Sequence, residues 1–203
     1  SSSSFIVASQ DNHIWTYNSS YSENLFASGG SIIYTSPTII NSSKLAVIRK
    51  DNSINRYYID IFNSSATQLT APAYDPGAGY VIHYIHWYNN YLYVSMSQGS
   101  NDYIYTFSFN NTTNTLTNTN FYDWGGTNRT TLIKGYGGKL YFTTFTKLYR
   151  ATISGNLFTI NDDINLPYTI PTGLAPHNDT GGEHIVVQHD YDDKLTDIYY
   201  NGS

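Results

Sequence analysis

The chain contains no cysteine, one methionine and two glutamates, Glu23 and Glu183, and only 12% of its 203 residues are charged. Without Cys there is no disulfide scaffold, thiol nucleophile, zinc–thiolate site or iron–sulfur cluster, so stability has to come from packing and strand pairing. Strong helix formers are scarce, and no stretch shows the 3.6-residue periodicity of an amphipathic helix. No apolar run approaches the roughly 18–20 residues of a bilayer span, so no membrane-crossing helix is expected. Ten Lys and Arg stand against fifteen Asp and Glu, a net charge of −5. That balance offers no cation excess to a phosphate backbone, and nucleic acid is not an expected partner.

What the chain has instead is 21 Tyr, with aromatic residues at 16% and hydrophobic residues at 40%. This is enough apolar surface to offset the entropy of ordering, so the chain folds. Short β-branched and aromatic runs such as Lys139-Leu-Tyr-Phe-Thr-Thr144 alternate with Gly-Gly, Asp-Asn and Asn-Asn, which is the pattern of successive hairpins. The fold class is all-β.

Five apolar cores recur along the chain: Phe5-Ile6-Val7, Leu45-Ala46-Val47, Leu92-Tyr93-Val94, Leu140-Tyr141-Phe142 and Ile185-Val186-Val187. Their centres, at 6, 46, 93, 141 and 186, are spaced 40, 47, 48 and 45 residues apart. A second strand follows each core after a polar turn, as in Tyr103-Ile-Tyr-Thr-Phe107 and Lys147-Leu-Tyr-Arg-Ala151. A period of about 40–50 residues with four short strands per unit indicates a β-propeller. The expectation is one domain over 1–203 with about five four-stranded blades, lacking one inner strand at its start and one outer strand at its end. A two-sheet β-sandwich is the alternative. The strand count also raises the prospect that a neighbouring molecule donates a strand to the open blade.

The triplet Asn-x-Ser/Thr occurs at Asn18, Asn41, Asn63, Asn110, Asn111, Asn128, Asn178 and Asn201. Each falls where a turn or loop is expected, a position at which a glycan disturbs no core, and N-glycosylation of an exported protein is the corresponding expectation. Asn, Ser and Thr are also ordinary turn residues, so position alone does not separate the two readings.

Catalytic and metal patterns are sparse. His184 and His189 are five residues apart, on opposite faces of one strand, and Asp190, Asp192 and Asp193 lack the Gly and distal Glu of a calcium loop; no metal and no cofactor are expected. Glu183 with Asp179 or Asp75 is the available carboxylate pair for glycoside hydrolysis, but no carboxylate recurs on an inner strand. No Gly-x-Ser-x-Gly is present, and Gly135-Tyr-Gly-Gly138 precedes a strand, not a helix, so neither a hydrolase elbow nor a phosphate loop is expected. The non-enzyme reading follows. For ligand binding, Trp15, Trp87 and Trp124 are candidates for stacking on sugar rings, with His86 and Tyr88 beside Trp87 and with His83, Asp123 and Arg129 as polar neighbours. Large aromatics also fill the seams between blades.

The repeat resembles β-propeller surface proteins over nearly the whole chain, though it carries neither a Trp-Asp dipeptide nor a kelch pattern. Ser9-Gln-Asp-Asn-His-Ile-Trp15 is similar to the Asp-box of sialidase-like propellers but lacks its Gly, places Trp one residue early and occurs once. The composition, rich in Tyr, Asn, Ser, Thr and Ile and poor in charge, resembles that of glycosylated surface and filament proteins of thermoacidophilic archaea or virion proteins of their viruses. The resemblance implies a non-catalytic extracellular, cell-surface or virion-surface module for adhesion or filament assembly. Its partners would be copies of itself, other surface proteins or glycans. A glycan-binding lectin, a virion receptor-binding protein or a carbohydrate-active propeller enzyme is the alternative.

Overall fold

The computed structural model describes residues 30–63, 67–124, 129–190 and 194–200, together with the backbone of three strands before residue 28. All regular structure among the described residues is β-strand. The first sheet holds β1 (Phe5–Ala8), β2 (Ile14–Tyr17) and β3 (Glu23–Ala27). The second holds β4 (Ile32–Asn41), β5 (Lys44–Asp51), β6 (Arg56–Asn63) and β7 (Gln68–Tyr74). The third holds β8 (Tyr80–Tyr88), β9 (Tyr91–Gln98), β10 (Asn101–Asn110) and β11 (Thr115–Asp123). The fourth holds β12 (Leu132–Tyr136), β13 (Lys139–Thr143), β14 (Lys147–Ser154) and β15 (Leu157–Asn165). The last holds β16 (Pro171–Asn178), β17 (Glu183–His189) and β18 (Leu195–Tyr200).

Each sheet is an antiparallel meander, and the first strands β4, β8, β12 and β16 pack against one another in that order. This is the arrangement of a β-propeller, not of a sandwich, with innermost strands at the axis and outer strands at the rim. Four blades bring an innermost strand to the axis, where the repeat pointed to about five four-stranded blades. Three sheets have all four strands; among the described residues the β16–β18 blade has no outer strand and the β1–β3 sheet no innermost one.

The apolar cores of the repeat fall on the second strand of each sheet, and their uninterrupted hydrophobicity has a direct cause. A blade's second strand is covered on both faces, so its side chains alternate between two interfaces and both must be apolar. On β9, Leu92, Val94 and Met96 pack toward the β4–β7 blade with Ala46, Ile48, Ile59 and Ile61. Tyr93, between them in sequence, packs the other way with Leu140, Phe142 and Phe158. On β13, Tyr141 in turn faces Leu174, Ile185 and Val187 of the last blade. Fully burying each such side chain contributes about 1.5–3 kcal/mol, which makes these seams the main stabilising feature of the fold.

A bulge recurs at equivalent places in the fourth strands, in β11 opposite Thr106 and Phe107 of β10 and in β15 opposite Arg150 and Ala151 of β14. Bulges raise local twist and re-aim neighbouring side chains. In the fourth blade, Arg150 pairs with Asp162 and Ala151 with Ile160, so Asn161 is the extra residue.

Candidate functional site

That bulge forms one wall of a cleft of about 740 Å³ between the β12–β15 and β16–β18 blades. Arg150, Thr152, Asn161 and Asp162 stand on one side with Lys139 at the start of β13, and Asn178, Asp179, Glu183, Tyr199 and Tyr200 on the other. The volume is within the roughly 300–1,000 Å³ of small-molecule clefts.

Ion pairs tie the two walls together. Glu183, only 11% exposed at its side chain, accepts from Lys139 Nζ and lies 3.4 Å from Arg150 Nη1. Arg150 also donates to Asp162 through Nη2 and, at 2.9 Å, through Nε. Its guanidinium lies over the Tyr200 ring, 4.2 Å from the centroid. Burial by itself would raise the Glu183 pKa, but hydrogen bonding from Lys139 and Tyr141 and the charges of Lys139 and Arg150 outweigh it and hold the carboxyl below its ordinary range. The Tyr141 hydroxyl is buried beside this carboxylate, and burial first and Glu183 second push its pKa up. Burial likewise pushes Tyr200 up to about 12, with the Arg150 charge opposing.

The mouth of the cleft is shaped by the β16–β17 turn. Asp179 Oδ1 accepts from the Gly181 and Gly182 amides at 2.6 and 3.1 Å, and the Tyr199 hydroxyl donates to the Gly181 carbonyl. A Cβ on Gly182 would lie 2.7 Å from the Tyr200 carbonyl oxygen, so the turn needs glycine there. Asp179 Oδ2 and Asp197 flank His184 at 3.2 and 3.1 Å, and the His184 ring stacks on His177. Two cations, Lys139 and Arg150, face three carboxylates, Asp162, Asp179 and Glu183, while Thr152, the Asn161 and Asn178 amides and Tyr199, 49% exposed, remain to meet a ligand.

The sequence-chosen residues are distributed differently. Trp87 packs on the β4–β7/β8–β11 seam, edge-on to Phe109 at 6.3 Å, and its backbone amide donates to Thr38 Oγ1 at 2.9 Å. Trp124 lies in the next seam with Tyr122, Phe142 and Tyr149, and its Nε1–H is buried without a partner. His86 stacks on Tyr88 at 6.5 Å; burial, then the Lys134 charge, lowers its pKa to about 4. Tyr88 is pinned between blades: its hydroxyl accepts from the Gly138 amide at 2.8 Å, and its ring occupies the space a Cβ on Gly135 would need. The side chain of Trp15 lies outside the described residues. Trp87, Trp124, His86 and Tyr88 do not line the cleft between the last two blades. His83 bonds Ser97 Oγ at 2.8 Å, and burial, then the Arg129 charge, lowers its pKa to about 4. The same Arg129 charge bears on buried Asp102.

Of the carboxylate candidates, Glu183 and Asp179 share the cleft, whereas Asp75 is paired with Arg56 at 2.8 Å in another blade. Lys139, Arg150 and Asp162 were not singled out by sequence as site residues, and Tyr199-Tyr200 stood out only as an adjacent pair that cannot both face the core. Charge density gave no signal: Lys139, Arg150, Asp162, Asp179 and Glu183 are spread over 45 residues, no denser than the ions of the chain as a whole, and meet only through the fold.

Five of the sequon asparagines have described side chains, and Asn178 differs from the rest. Asn41 Oδ1 accepts from Ser43, Asn63 Oδ1 from the Thr67 amide, and Asn110 Oδ1 from the Thr112 and Thr113 amides. Asn111 Oδ1 accepts from Asn41 Nδ2 of the neighbouring blade. Asn18, Asn128 and Asn201 lie outside the described residues.

Comparison with known proteins shows the fold alone. No family model and no curated protein matches the chain. Among solved structures it is similar to a prolyl endopeptidase, at TM-score 0.55 and 11% identity over 93% of this chain and 31% of that one. It is also similar to Hsv2 of Kluyveromyces lactis, at TM-score 0.48 and 12% identity over 92% of this chain and 53% of that one. A putative 6-phosphogluconolactonase from Bacteroides fragilis matches at TM-score 0.48 and 9% identity, over 98% of this chain and 82% of that one. The chain spans about a third of the prolyl endopeptidase and about half of Hsv2. The class defined by fold and comparison together is the β-propeller.

Proposed function

We propose that this propeller is a non-catalytic, N-glycosylated module of an extracellular, cell or virion surface, which binds ligand or assembles with copies of itself or other surface proteins. The observation that carries the reading is the placement of the sequons. In a four-stranded meander the turns after the first and third strands lie at one end of the blade. Asn41 and Asn178 belong to first-to-second turns and Asn63, Asn110 and Asn111 to third-to-fourth turns, so these five gather on one face. Sequons gathered at turns on one face, where a glycan disturbs no core, support a surface module.

The state of Glu183 supports the absence of catalysis. Glycoside hydrolysis needs one carboxyl of the pair raised as general acid, whereas Glu183 is held low between two cations and Asp179 is held low by the Gly181 amide, which leaves the pair without an acid. A hydrolase remains the second reading because Glu183 and Asp179 share a cleft. Assembly would use the free edge of β18, which has no paired neighbour among the described residues and could accept a donated strand.

Glycopeptide mass spectrometry and sedimentation of protein from its native source test this reading. Sugar on the five grouped sequons and self-association are expected; bare asparagines throughout would refute it. Hydrolysis of a glycan library, abolished by Glu183→Gln, would establish the enzyme reading instead.

A further inference from the structure

We propose that the cleft between the β12–β15 and β16–β18 blades seats the chain's own N-glycan, attached at Asn178; this rests on the glycosylation reading above. Asn178 is exposed, ends β16, and forms part of the cleft wall. The other four described sequon asparagines commit their side-chain oxygens to turns or to a neighbouring blade. Asn178 engages through its backbone amide, which donates to the Tyr136 hydroxyl at 3.3 Å, and among the described residues no partner holds its side chain. Its acceptor triplet runs directly into the turn that Asp179 holds rigid.

The cleft has the chemistry of a sugar site. Lys139 and Arg150 are already neutralised by Glu183 and Asp162, and the remaining carboxylate, Asp179, is held by the Gly181 and Gly182 amides beside His184. Among the described residues no cation is left in the cleft to bind an anion, so it favours an uncharged, hydroxyl-rich ligand. Tyr199 offers half-exposed ring surface for the apolar face of a pyranose, and Thr152 and Asn161, bonded to each other at 2.7 Å, offer spare donors and acceptors. A volume of about 740 Å³ holds more than one sugar ring. Tethering supplies the rest: a covalently attached sugar meets the cleft at an effective concentration in the millimolar range, so weak contacts suffice. The sugar would bridge two blades and brace the last one, which lacks an outer strand among the described residues.

The test uses protein purified from its native source and Asn178→Gln and Tyr199→Ala variants made there. Glycopeptide analysis should find Asn178 occupied, and N178Q should lower Tm by about 2–4 °C, the shift a modest contact produces in a chain of this size. Y199A should cost more in the glycosylated protein than in the N178Q background, because glycan and ring act as a unit. A second measurement does not depend on variants that fold: endoglycosidase should release sugar from native protein about tenfold more slowly at Asn178 than at Asn111, and equally fast after denaturation. Additive variant effects with equal release rates, or a bare Asn178 beside occupied sequons elsewhere, would overturn the inference and leave surface glycosylation standing. Bare asparagines at every sequon would remove both.

Discussion

Replacing Glu183 by Gln keeps the side chain's shape and removes its charge, which isolates the ionic clamp between the last two blades. Glu183 is 11% exposed, but its partners Lys139 and Arg150 are 34% and 23% exposed, so water screens the pair partly. Exposed pairs contribute about 0–1 kcal/mol, and breaking a buried one costs about 3–5. Arg150 retains Asp162 in the variant. An intermediate loss of about 1–2 kcal/mol follows, or roughly 3–7 °C in Tm for about 200 residues. The pH dependence is the sharper signature. The folded-state pKa of Glu183 is depressed, so its stabilisation is complete above the unfolded glutamate value of about 4.3 and disappears as pH falls through the folded value. Denaturant unfolding of wild type and E183Q from pH 7 downward should therefore give curves that differ at neutrality and converge in acid. A gap of constant size across that range would show that packing, not charge, is lost, and no gap would show that the clamp contributes nothing.

Three further predictions rest on the seams and the inner strands. Phe142 is fully buried and stacked on Tyr149 at 5.3 Å with Trp124 against it, so Phe142→Ala should cost about 3–5 kcal/mol, read from the urea midpoint. Gly135→Ala places a Cβ 1.9 Å from Tyr88 Cγ, forcing ring and strand apart; about 1–3 kcal/mol or more should be lost, and Gly135→Ala with Tyr88→Ala should recover part of the clash. His86 is half-buried and neutral with a pKa lowered to about 4, so stability should fall as pH drops from about 6.5 toward 4, by on the order of 3 kcal/mol. NMR titration of the His86 ring should place its midpoint near 4; a midpoint near 6.5 would refute the burial argument.

Strand positions and the propeller repeat were legible in sequence because their cause is local. A strand buried on both faces must be apolar without interruption, so Leu92-Tyr93-Val94 and Leu140-Tyr141-Phe142 announced themselves as second strands before any contact was known. The Trp candidates were legible as large aromatics, but whether Trp87 and Trp124 meet solvent or a neighbouring blade depends on which face of the strand turns toward which seam, and both pack into seams. The number of complete blades was likewise decided by which strands pair at the two ends.

Sequence by itself determined that this protein has no thiol chemistry, little charge and a propeller built from hairpins, because composition and period-2 burial act within a few residues. Only the tertiary structure decided where the chemistry gathers. Glu183 meets Arg150 from 33 residues away and Lys139 from 44, across a seam between blades. No local pattern encodes that meeting: it exists because two blades, each folded by its own alternation, are held side by side by Tyr141, Leu174, Ile185 and Val187 beneath the cleft.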